Sequence, residues 1–131
     1  MALGCGSGDD EAQALSKAEY FKQGNAICHK WQEGREEALG VATKRFEGQN
    51  SAKAKEEALL LVLKPYQQAT KKLRELPPPE NQAKRAEALV KEMEQSYLRA
   101  KADPLSALES VAFFQKANEM AEKFGLKECI V

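Results

Sequence analysis

The sequence is short of nearly everything that makes a function easy to read. It has one histidine, and Lys+Arg balance Asp+Glu at 20 each over 131 residues. A neutral chain has no global electrostatic reason to bind nucleic acid or an anionic surface. Lys64, Lys71, Lys72 and Arg74 form its one basic concentration, without bulk positive charge behind it, so no nucleic-acid partner is expected. Long apolar runs are missing too. Ala58 to Leu63 spans 6 residues, against the roughly 18 that a membrane span requires. The lone His29 restricts catalysis. No Ser-His-Asp set can be placed, and there is no Gly-x-Ser-x-Gly elbow or phosphate-binding glycine loop. The expectation is a protein that is not an enzyme. Cys-x-x-Cys, His-x-x-x-His, Glu-x-x-His and haem-attachment motifs are also absent, and no metal or cofactor is expected. Cys28 and His29 are adjacent, so on a helix they point about 100° apart and do not readily share an ion. His29 with Met93 or Met120 is the one arrangement that could ligate haem. A rim histidine and two core methionines explain the same residues without a cofactor.

Strand signals are lacking: there is no alternating β-branched run and no Asn-Gly or Asp-Gly hairpin. Aromatics make up 7%. Ala, Leu, Glu and Lys dominate, and these favour helix. Residues 1–15 read as a flexible tether and 16–131 as one domain. Ser16 to Glu19 fits a capping box. Tyr20, Gly24, Ile27, Trp31, Gly34, Ala38 and Val41 then follow in steps of 4 and 3, one helical stripe ending near Phe46 to Gly48. A second stripe, from Leu59 to Leu76, begins after Asn50 or Ser51 and contains Pro65, where a kink or short break is expected. Pro77-Pro78-Pro79 stops it. A third runs from Ala83 to Ala100. Asp103-Pro104 opens a fourth through Leu105, Leu108, Val111, Phe114, Ala117, Ala121 and Phe124, with Gly125 as its C-terminal stop. Short links between four stripes predict an all-α fold, an antiparallel up-down four-helix bundle. Glu33, Glu36, Glu37, Glu56, Glu57, Glu92 and Glu94 read as solvated helix faces.

The three cysteines divide. Leu3-Gly4-Cys5, followed by Gly6-Ser7-Gly8-Asp9-Asp10, looks like the end of a bacterial lipoprotein signal. There the cysteine becomes the lipidated N-terminus and a Gly/Ser tether follows. Cys5 is therefore the lipidation candidate and, in the chain as written, a free thiol. Cys28 and Cys129 are the candidate disulfide. In an up-down bundle the termini share one end, which makes the bond topologically reasonable. Cys28, however, stands roughly 18 Å along the axis from Ser16. Either the first helix overhangs, or the tail after Gly125 turns back along it. The alternative is two unpaired buried cysteines in a cytosolic protein.

Three elements carry a resemblance. They are Tyr20-Phe21 with Asn25-Ala26-Ile27-Cys28, then Leu73-Arg74-Glu75-Leu76-Pro77-Pro78, then Phe124-Gly125-Leu126-Lys127-Glu128-Cys129. In this order and spacing the chain resembles a family of small secreted all-helical bacterial lipoproteins, actinobacteria-like and of no assigned activity. Gly24 stands where an Ala-like residue is expected. The resemblance implies a lipid-anchored envelope protein with a Cys28–Cys129 bridge. It supplies no ligand and no reaction.

Tyr20, Trp31, Tyr66 and Tyr97 lie on the apolar stripes, where core packing is the default. With Gly24 and Gly34 they could line an inter-helix pocket for a small apolar ligand. The expectation is a monomeric, non-enzymatic extracytoplasmic domain, anchored to a membrane through Cys5, with a binding or scaffolding role at the cell envelope. The rival is a cytosolic helical module that oligomerises through its stripes.

Overall fold

The computed structural model describes residues 13–131. Cys5 and all but the last residues of the expected tether lie outside them. Within them the chain is helical and contains no strand. The main elements are α1 (Lys17–Arg45), α2 (Ala52–Glu75), α3 (Ala83–Ala102), α4 (Pro104–Glu109) and α5 (Gln115–Phe124). Short 3-10 turns precede α3 and α5, and a third, Lys127–Cys129, ends the tail.

The caps sit where the side chains demand them. The Ser16 hydroxyl accepts from the Glu19 N–H at 3.1 Å, and Ser51 does the same for Ala54 at 3.1 Å. Each satisfies a donor that the first turn leaves without an intrahelical partner. At the other end of α2, Leu76 is extended ahead of the proline run, as the residue before a proline must be.

One expectation narrows and another is revised. No break forms at Pro65: α2 runs through it. A β-carbon on Gly34 would lie 3.2 Å from Pro65 Cβ, so the proline ring packs into the space that this glycine leaves open. Packing of this kind supports a helix whose local sequence weakens it. The fourth segment, read as one helix from Asp103 to Phe124, is two. Ser110 is extended (φ −154°, ψ 136°), and its hydroxyl accepts from the Ala112 N–H at 3.0 Å. A serine that caps a new start competes with helix continuation. The stripe divides with it. Leu105, Leu108 and Val111 are exposed, whereas Phe114, Ala117, Ala121 and Phe124 are buried.

One apolar core joins the elements. It includes Tyr20, Trp31, Leu63, Tyr66, Leu73, Leu89, Met93, Phe114 and Phe124. Helix α1 packs on α2, α2 on α3 and α4, and α3 on α5, while the terminal 3-10 turn lies against α1.

Candidate functional site

Two constructions stand out, both built on α1. The first is a clamp that holds the tail. Gly125 adopts φ 112°, and the Leu126 N–H donates to the Ala121 carbonyl at 2.9 Å. This left-handed stop closes α5 and sends the chain back. The tail then follows α1. Asn25 grips it twice: Nδ2 donates to the Gly125 carbonyl at 3.3 Å, and Oδ1 accepts from the Glu128 N–H at 3.0 Å. Gln32 Nε2 donates to the Glu128 carbonyl. Between these two side chains Cys28 bonds to Cys129, with Cα atoms 4.9 Å apart and a sequence separation of 101. The tail therefore turns back along the first helix, the second of the two geometries the sequence allowed. Asn25 and Gln32 had no assigned role in the sequence. Their signal was position, three residues before and four after Cys28, on the same helix face.

His29 lies at the rim of this clamp. Its side chain is 63% exposed, with Nε2 3.6 Å from Glu33 and Nδ1 3.4 Å from Glu128. Met93 is fully buried and Met120 partly so. Among the described residues, no group of three His, Cys, Asp or Glu is placed to hold a metal ion.

The second construction is aromatic. Trp31 and Tyr66 meet edge to face at 5.3 Å between centroids, and Tyr66 meets Phe114 at 5.1 Å. Trp31 and Tyr66 also line a cavity of about 190 Å³ with Arg35, Leu59, Val62, Leu63 and Phe114. The Arg35 guanidinium carbon is 5.2 Å from the Trp31 ring centroid, a cation–π distance. Trp31 Nε1 and Tyr66 Oη are buried and have no hydrogen-bond partner among the described residues. Burial pushes the Tyr66 hydroxyl well above the ordinary tyrosine range, and Glu92 adds to the effect. Glu92 is itself bonded to Arg99 at 2.7 Å, with Lys116 at 3.8 Å.

The four aromatic candidates therefore separate. Trp31 and Tyr66 come together. Tyr20 packs against Phe21 and Phe124, each at 5.9 Å, and burial raises its hydroxyl pKa. Tyr97 is half-buried, with Lys101 Nζ 5.9 Å from its ring centroid. Arg35 went unnoticed in the sequence because a charged residue off the stripe reads as solvated. Its spacing of four from Trp31 was the available signal. A larger groove of about 490 Å³ runs past Gly34 and Pro65, but its charged residues Lys30, Glu37 and Lys72 are all exposed.

No protein-family model matches the chain, and neither the curated proteins nor the solved structures contain a match to it.

Proposed function

We propose that this chain is a non-enzymatic extracytoplasmic domain, anchored to a bacterial membrane through a lipid on Cys5 in its natural precursor. Its role is binding or scaffolding at the cell envelope. The observation that carries the reading is the buried Cys28–Cys129 disulfide. Such bonds persist in oxidising compartments and are rare in the cytosol. The Leu3-Gly4-Cys5 element and the resemblance to small helical lipoproteins support it from the sequence side.

The architecture that suits this role is a monomeric, antiparallel up-down four-helix bundle with α2 bent at Pro65. Contacts support the direction of the first pair. Gly24 lies nearest Leu73 in α2 and Gly34 nearest Pro65, so rising numbers in α1 meet falling numbers in α2. Here α4 and α5 together take the fourth place.

The test is made in the native host. Metabolic labelling with an alkyne fatty acid is expected to mark the protein, and Cys5→Ser is expected to remove the mark and release the protein from the membrane fraction. Thiol trapping without reductant is expected to find Cys28 and Cys129 blocked. Reduced cysteines in an unlabelled, soluble protein would favour the cytosolic oligomer instead.

A further inference from the structure

The cavity beside Trp31 and Tyr66 has a composition that describes a ligand. Its wall is apolar, formed by Leu59, Val62, Leu63 and Phe114. Its volume of about 190 Å³ is somewhat larger than the roughly 150 Å³ of an engineered apolar cavity that takes up benzene. Two lining residues have buried polar atoms without partners among the described residues, Trp31 Nε1 and Tyr66 Oη. Unpartnered buried donors are rare in folded proteins, because each loses its hydration and gains nothing in return. A cation stands at the same wall. Arg35 is held over the Trp31 ring, and among the described residues it forms no ion pair. Glu92, the carboxylate that acts on Tyr66, is already engaged by Arg99 and Lys116.

The break at Ser110 fits the same account. Leu108 and Val111 line the cavity yet remain exposed, Val111 at 66%. A continuous helix would carry this apolar stripe onto the core. The interrupted one leaves it as the outer wall of the cavity.

We propose that this cavity binds a small organic acid with a one-ring or short branched apolar body. The body lies among Leu59, Val62, Leu63 and Phe114. The carboxylate meets Arg35 at the cavity wall, where the guanidinium stands over the Trp31 ring. Bidentate pairing of guanidinium with carboxylate supplies the selectivity for an acid over a neutral molecule of equal size. The inference does not rest on the envelope reading, since the cavity is the same in any compartment.

Trp31 is the sole tryptophan in the chain, so its emission reports on the site directly. The oxidised full-length protein is titrated with phenylacetate, and with toluene as the neutral probe, with calorimetry in parallel. Saturable binding of phenylacetate is expected. Arg35→Gln is expected to weaken phenylacetate about tenfold, the effect of a lost charge-assisted hydrogen bond, and to leave toluene unchanged. Val62→Phe fills the cavity and is expected to abolish both while the helical circular dichroism persists. Absence of a saturable response to phenylacetate up to about 10 mM overturns the proposal. Undiminished phenylacetate binding by Arg35→Gln, with its helical circular dichroism retained, does so as well.

Discussion

Leu126 occupies the space that Gly24 leaves on α1. A β-carbon on Gly24 would come within 2.7 Å of Leu126 Cδ2, and Leu126 is fully buried. The glycine therefore does more than substitute for alanine, which the sequence alone would have treated as harmless there. It lets the tail lie close enough to α1 for Asn25 to reach Gly125 and Glu128, and for Cys28 to reach Cys129.

Gly24→Ala should accordingly lose stability. Alanine gains about 1 kcal/mol of helix propensity over glycine, and overpacking a filled site costs roughly 1–3 kcal/mol. The expected net loss is about 1 kcal/mol, read from urea denaturation. Gly40→Ala is the control. Among the described residues nothing lies within 4 Å of the β-carbon it would add, so it should stabilise by about 0.5–1 kcal/mol. Equal gains from both substitutions would contradict the packing account.

The bridge fixes the same tail covalently. Closing a loop of 101 residues removes conformational entropy from the unfolded chain. In the chain-entropy model that is worth about 4–5 kcal/mol. The Cys28→Ser, Cys129→Ser double variant should lose stability of that order, and reductant should bring the natural chain to the same urea midpoint. A loss under about 1 kcal/mol would mean that the unfolded chain already holds its ends together.

The sequence made the first three helices legible because each carries an unbroken stripe and a recognisable stop. Ser16, Ser51, Pro77 and Gly125 act through local chemistry, so their effects follow from nearest neighbours. The break at Ser110 was hidden for the opposite reason. Leu105, Leu108 and Val111 continue the spacing of Phe114 and Ala117, and the periodicity does not tell an outer wall from a core. The aromatic site was half legible. Trp31 and Tyr66 stood on apolar stripes, but their meeting depends on how α1 is registered on α2. That register is set by shape, with Pro65 seated at Gly34 and Leu73 near Gly24. Tyr20 and Tyr97 satisfy the same periodicity and lie elsewhere.

Asn25 offers a test of the clamp without touching the cysteines. Asn25→Ala removes a donor to the Gly125 carbonyl and an acceptor for the Glu128 N–H, both part-buried. Leaving partly buried backbone groups unpaired costs roughly 1–3 kcal/mol. The disulfide remains, so the tail stays tethered. The sharper readout is hydrogen exchange at the Glu128 amide, expected to accelerate while amides in the middle of α2 keep their relative protection. Unchanged exchange at Glu128 would show that the bridge alone orders the tail.

Tyr66 gives the last prediction, because its hydroxyl is both buried and unpartnered. Tyr66→Phe keeps the ring between Trp31 and Phe114 and deletes the orphaned group. Stability should rise by about 1 kcal/mol at neutral pH. The same substitution alters the alkaline limb. Burial raises the Tyr66 pKa in the folded protein above its ordinary value, so on unfolding the hydroxyl gives up its proton more readily. The stability linked to this group is complete below pH about 10 and falls as pH rises, by up to about 1.4 kcal/mol per pH unit. Tyr20 acts in the same direction through its own burial. Urea midpoints followed from pH about 8 to about 11 should therefore decline less steeply for Tyr66→Phe than for the natural chain. Parallel declines would mean that Tyr66 does not govern alkaline unfolding. A lower neutral-pH midpoint for Tyr66→Phe would mean that the hydroxyl has a partner in solution.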